Sequence, residues 1–142
     1  MDQLMELRSV TDGRDAFLVT YRSEATKRIP QWKRRVYFMR HRGEKLPLIG
    51  LMLLVMSLKA IGILVREKPK VLISTGAEIA IPFFLVGKLL GSKTVFIDSM
   101  TRVRSRSATG RLLYPVADVF LVQWPEARRL YGPRAVYAGS VV

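Results

Sequence analysis

Residues 70–99 read KVLISTGAEIAIPFFLVGKLLGSKTVFIDS, and the alternation inside this stretch decides the fold. Val71-Leu72-Ile73, closing on Ser74, is a short continuous apolar run of the kind that forms a strand buried on both faces. Thr75-Gly76-Ala77 supplies a tight turn. Residues 78–90 then read as a helix, with Pro82 in its first turn and Gly91 as its stop. Thr94-Val95-Phe96-Ile97-Asp98 is the next apolar strand. A strand, helix and strand in such close succession imply a right-handed crossover between parallel neighbours. Working outward, residues 105–117 are helix-like, 119–122 form a strand and 135–137 a last one. Upstream, the β-branched and aromatic runs 17–21 and 36–39 read as two more strands. The fold class is therefore α/β, a parallel sheet flanked by helices. In such sheets the ligand crevice lies beyond the carboxyl ends of the strands, so the residues that follow each strand carry the functional information.

After the strand at 71–74 come Ser74, Thr75, Gly76, Ala77 and Glu78. Small residues at a helix N-terminus let backbone N–H groups approach an anion, and the helix dipole adds attraction, although neither a P-loop nor a dinucleotide fingerprint is present. After the next strand come Asp98, Ser99 and a run holding Arg102, Arg104 and Arg106 with Ser105 and Ser107. Forked guanidiniums and hydroxyls together suit phosphate oxygens. Asp98 is open to three roles: catalytic base, partner of one of these arginines, or helix cap. After the strand at 119–122 comes Gln123-Trp124-Pro125-Glu126, where the indole is either a core plug or a protein-contact anchor.

The 142 residues and 16.2 kDa suffice for one domain with one sizeable core. Cys is absent and His41 is the only histidine, which excludes disulfide scaffolds and thiolate sites and predicts no metal centre. A net charge of +13 attracts polyanions: nucleic acid, anionic headgroups or diphosphates. Residues 22–45 alone hold nine Lys/Arg against Glu24 and Glu44, with Trp32 among them. Residues 46–65 follow, 15 of the 20 being apolar, interrupted by Pro47, Gly50, Ser57, Lys59 and Gly62. This segment is long enough for a bilayer span, but its internal lysine and glycines also fit a membrane-surface helix or a buried crossover helix. At a membrane surface, Leu51, Leu54, Leu58 and Lys59 are the expected contacts, with basic residues flanking both ends. The first ten residues, MDQLMELRSV, lack the pattern of a cleavable leader, which places the N-terminus on the cytoplasmic side.

Taken together, Ile73-Ser74-Thr75-Gly76-Ala77, Phe96-Ile97-Asp98-Ser99 with Arg102-Val103, Thr109-Gly110-Arg111-Leu112-Leu113-Tyr114-Pro115 and Val122-Gln123-Trp124-Pro125-Glu126 resemble the asparagine-linked glycosylation 14 family. Its members are the membrane-bound half of a two-chain glycosyltransferase, with bacterial relatives in exopolysaccharide and capsule assembly. The resemblance implies a Rossmann-like, acceptor-binding N-terminal half of a GT-B enzyme whose partner chain binds the UDP-sugar, with no other cofactor. By position, Ser74, Thr75, Gly76 and Ala77 would line the cleft near a lipid diphosphate. Asp98, Ser99 and Arg102 would lie at the next strand end, with Asp98 the best acidic candidate for the base. Gln123, Trp124 and the tail to Val141 and Val142 would meet the partner. The implied location is the cytoplasmic face of a membrane, with a leaning toward a bacterial inner membrane.

One feature departs from that pattern. Family members open with an apolar strand and a Gly-Gly-His turn, whereas here residues 2–10, with Leu4, Met5, Leu7 and Val10 at helical spacing, already read as the first helix. The expectation is a single domain over residues 1–142, shortened at its N-terminus, whose natural reading frame starts upstream or which is inactive. In a sheet of order 3-2-1-4-5-6 the absent strand is central. Two other readings compete with the transferase: a basic nucleic-acid-binding protein, suggested by the charge and Trp32, and a non-catalytic scaffold for the partner.

Overall fold

The computed structural model describes residues 11–22, 35–39, 49–99 and 105–139. Its elements run β1 (Phe17–Tyr21), β2 (Arg35–Met39), α1 (Ile49–Glu67), β3 (Val71–Ser74), α2 (Ala80–Leu89), β4 (Lys93–Ile97), α3 (Ala108–Leu113), β5 (Val119–Val122), α4 (Pro125–Tyr131) and β6 (Ala135–Tyr137). All strand pairs are parallel, as the alternating sequence pattern requires. One sheet has the order β3-β4-β5-β6 and a second pairs β1 with β2. The two share no ladder among the described residues.

Side-chain alternation explains how the larger sheet is covered. Leu72, Thr94, Phe96, Phe120, Val122 and Ala135 are buried on one face, and Val71, Lys93, Val119 and Val136 stand exposed on the other. The buried face centres on Phe96 and Phe120, stacked at 5.0 Å between ring centroids. Phe84 of α2 meets Phe96 edge-on at 6.3 Å, while Tyr131 of α4 and Tyr114 reach Phe120 at 4.7 and 5.1 Å. Contacts of this kind contribute about 0.5–1.5 kcal/mol each beyond simple burial, so this ladder ties α2 and α4 to the sheet. Met39, Phe17, Val19 and Tyr21 pack on the same core, which joins the small sheet to the large one through side chains alone.

The apolar segment forms α1, which buries Met56, Ala60 and Leu64 at four-residue spacing. Its outer side carries Leu54, Leu58, Ile61 and Val65, also at helical spacing and all exposed. Among the described residues no helix is long and apolar enough to cross a membrane. The helix thus packs on the core through one side and leaves the other greasy, an arrangement that suits a membrane-surface helix packed on the sheet as well as a crossover helix. Its C-terminal end is held by Glu67, whose buried carboxylate pairs with Arg35 at 3.0 Å and accepts from the Tyr37 hydroxyl. Arg35 also binds Asp15 at 2.7 Å, so one guanidinium links α1, β2 and the turn before β1.

At the amino ends of the strands, Asp118 Oδ2 accepts from the Thr94 N–H and from its hydroxyl, each at 2.9 Å. Lys88 Nζ lies 3.4 Å from the other carboxylate oxygen. The Thr94 backbone donor above all, then its hydroxyl and Lys88, hold the Asp118 carboxyl below the usual aspartate range. A depressed native pKa contributes stability that is present above the unfolded value and lost as pH falls through the native one. Denaturant titrations between about pH 5 and pH 2 should show that loss, and Asp118→Asn should flatten the acid limb. An unchanged acid limb in the variant would remove Asp118 from the explanation.

Candidate functional site

In a parallel sheet every strand ends on the same side, so β3, β4 and β5 deliver their following loops to one rim. After β3, Gly76 turns the chain at φ +105°, a left-handed conformation that disfavours any Cβ, and Ser74, Thr75 and Gly76 stay half-buried. A Cβ built on Gly76 would stand 3.9 Å from both the Cβ and the backbone nitrogen of Ser99. The turn after β3 and the residue following Asp98 therefore touch. After β5, Gln123 is buried and donates from Nε2 to the Asp98 carbonyl at 2.8 Å. The ends of β4 and β5 are thus linked by a side chain, and the turn after β3 lies beside Ser99.

Asp98 is 1% exposed. Its Oδ1 accepts from the Ser107 hydroxyl at 2.9 Å. Ser107 is the N-cap of α3: the same Oγ accepts from the Gly110 N–H at 2.9 Å, and the Ser107 N–H donates to the Tyr131 hydroxyl at 2.9 Å. Burial above all raises the Tyr131 hydroxyl pKa, with the Asp98 charge adding to it, so this phenol stays neutral at ordinary pH. One hydroxyl therefore closes a circuit that runs from β4 through the start of α3 to the end of α4. Arg106 lies 5.9 Å above the Tyr131 ring and brings a cation to this rim.

Two tyrosines here carry no role in the sequence reading, and Ser107 enters it only as a member of the basic run suited to phosphate. Tyr21 ends β1, so the rule of strand ends could have found it; its hydroxyl bonds to the backbone of Ile79, and burial followed by the Glu78 charge raises its pKa. Tyr131 carries no local signal, because its contact with Ser107 spans 24 residues. Trp124 is partly exposed at 38%, in extended conformation just before α4, with Pro125 fixing the first helical position. Leu54, Leu58 and Lys59 all face outward on α1. Because α1 runs antiparallel to the strands, Leu54 lies toward the rim and Val65 toward the opposite end. Arg102, Val141, Val142 and the side chain of Leu51 lie outside the described residues, as do Trp32 and His41. Among the described residues no three His, Cys, Asp or Glu side chains gather.

This rim gathers a glycine turn and the hydroxyl-bearing residues Ser74, Thr75 and Ser99, with the Arg106 guanidinium held over Tyr131 on the neighbouring circuit. The Asp98 carboxylate there is buried and bonded to Ser107, while Glu78, two residues past Gly76, is exposed.

Comparison with known proteins adds an independent finding. The family described as oligosaccharide biosynthesis protein Alg14 like matches residues 14–141. A protein of Candida glabrata named UDP-N-acetylglucosamine transferase subunit ALG14 is 48% identical over 52 residues, 37% of this chain and 22% of that protein. The human protein of the same name is 32% identical over 83 residues, 54% of this chain and 38% of its own length. The one from Schizosaccharomyces pombe is 40% identical over 78 residues, 51% of this chain and 37% of its own. The chain thus spans between about a fifth and two fifths of the length of these curated relatives. No solved structure matches it.

Proposed function

This chain belongs to the Alg14-like family of oligosaccharide biosynthesis proteins, and we propose that it is the acceptor-binding and partner-recruiting subunit of a two-chain glycosyltransferase. In this reading it is the N-terminal half of a GT-B enzyme at the cytoplasmic face of a membrane. Its rim at residues 74–77 and 98–99 holds the diphosphate of a lipid-linked acceptor. The partner chain holds the UDP-sugar, and the relatives' names make UDP-N-acetylglucosamine the first donor to test. The acceptor hydroxyl attacks the anomeric carbon, the bond to the diphosphate breaks, UDP leaves with the electron pair, and the hydroxyl proton passes to a base. The named relatives come from fungi and mammals, so they lend nothing to the leaning toward a bacterial membrane.

The observation that carries this reading is the convergence of Ser74, Thr75, Gly76 and Ser99 at one rim of a strongly basic domain. Arg102, six residues along the chain from Phe96, belongs to the same proposal by its position in the sequence. The outward stripe of α1, with Lys59, Arg66, Lys68 and Lys70 exposed along and beyond it, supports contact with an anionic bilayer at about 1 kcal/mol per well-placed cation. Asp98 enters as a positioning group: its bond to Ser107 supports an orienting role for the loop after β4. Asp98→Asn should then lower thermal stability along with turnover, whereas a free base would lose turnover alone. Trp124 and the tail at Val141 and Val142 form the proposed partner contact, while Gln123, expected there from sequence, is buried against the Asp98 carbonyl and serves by fixing the chain before Trp124.

Thr75→Val in the assembled complex tests the rim. A hydroxyl bonded to a charged group contributes about 1.5–3 kcal/mol, so turnover should fall about tenfold or more while assembly stays intact. Unchanged turnover would favour the scaffold reading.

A further inference from the structure

We propose that the outer edge of β6, beside the groove between α4 and Tyr137, docks an extended acidic segment of the nucleotide-sugar-binding chain, which joins the sheet as an added strand. This rests on the two-chain reading above and names where the second chain takes hold. The groove is an open concavity of about 480 Å³ lined by Pro125, Arg128, Arg129, Gly132, Pro133 and Tyr137.

Three observations converge there. First, β6 ends the order β3-β4-β5-β6, so among the described residues one side of it has no strand beside it. The Ala138 N–H points back to the Val122 carbonyl, and the alternation of a strand therefore turns the N–H and C=O of Tyr137 outward. Second, Val136 and Tyr137 are about half exposed, which gives an incoming strand apolar and aromatic surface on both faces of the pleat. Third, Arg128 and Arg129 are exposed on α4 and unpaired with any acid among the described residues. Their neighbour Arg134 differs: its guanidinium is committed to the carbonyls of Pro115 and Ala117 and to the face of Tyr114.

Charge selects the occupant. A sheet edge flanked by like cations repels the same edge of a second copy, and a chain of net charge +13 disfavours self-association further. The same guanidiniums attract carboxylates and can hold them in forked pairs. Main-chain bonds to the edge give affinity, and the arginines beside it give sign and register.

The test uses a blocked heptapeptide alternating glutamate and valine, its lysine counterpart and the full chain. The glutamate peptide should bind, shift the Tyr137 backbone amide resonance and slow its hydrogen exchange. R128A/R129A should weaken binding at least tenfold. Removing two charges elsewhere, at Lys70 and Lys93 near the opposite edge, should change it less than twofold. Equal binding of the lysine peptide, unchanged affinity in R128A/R129A, or an unmoved Tyr137 amide would each overturn the proposal. In the same way, R128E/R129E should cut affinity for the purified nucleotide-sugar-binding chain at least tenfold. If the peptide fails to bind while Thr75-dependent turnover of the complex persists, the groove proposal falls and the two-chain reading stands. If the peptide binds at the groove but the second chain has no affinity for this one, the two-chain reading falls and takes the assigned occupant with it.

Discussion

A Leu54→Asp/Leu58→Asp variant is expected to lose at least about 100-fold in affinity for vesicles containing anionic lipid, while unfolding at nearly the wild-type temperature. Burying one leucine fully is worth about 1.5–3 kcal/mol, and Leu54 and Leu58 are 56% and 60% exposed, so about half of that remains to be gained on each. Two leucines then supply about 2–3 kcal/mol. Two carboxylates facing anionic headgroups reverse the sign of a surface contribution of about 1 kcal/mol per charge. The sum exceeds the 2.7 kcal/mol or so that corresponds to a factor of 100. Stability should barely move, because the helix is held from its other side by Met56, Ala60 and Leu64 and at its end by Glu67. Vesicle binding that survives both substitutions would take α1 out of the membrane contact.

Gly110→Ala should destabilise the fold by about 2–6 kcal/mol and lower turnover of the complex. Alanine is the better helix former by about 1 kcal/mol, so in a free helix the change would help. Here a Cβ would overlap the Tyr131 hydroxyl and stand 2.6 Å from Ser107 Oγ. Overpacking of this kind costs about 1–3 kcal/mol. Displacing Ser107 also loosens the α3 cap, worth about 1 kcal/mol, and takes a donor from the buried Asp98 carboxylate at about 1–3 kcal/mol more. The losses outweigh the propensity gain. Ser107→Ala, which loses the cap and the Asp98 donor without the clash, should fall between wild type and Gly110→Ala. A Gly110→Ala protein as stable as wild type would mean that the Asp98, Ser107 and Tyr131 circuit contributes little.

These two sites also mark what the sequence could and could not disclose. The strands β3 to β6 were legible because parallel strands buried on both faces read as short apolar runs, and their following residues were the right place to look. Ser74, Gly76, Asp98, Ser99 and Gln123 indeed meet at one rim. Element ends were less legible: residues 105–117 read as helix, but α3 covers only Ala108–Leu113, since Ser107 is spent as its cap and a turn follows at 114–116. α1 runs on to Glu67 because a tertiary pair with Arg35 holds its last turn. For Asp98 the sequence left base, arginine partner and cap open, and only the fold could place Ser107 beside it. The circuit through Tyr131 depends on α4 packing under β5, which no local pattern encodes.

The most direct test is photolabelling of the assembled complex with a lipid diphosphate that carries a photoreactive group beside its phosphates. Label should fall on residues 74–77 and on Ser99, and excess unlabelled lipid diphosphate should compete it away. Label confined to the outer face of α1, or to the second chain, would contradict an acceptor site on this domain.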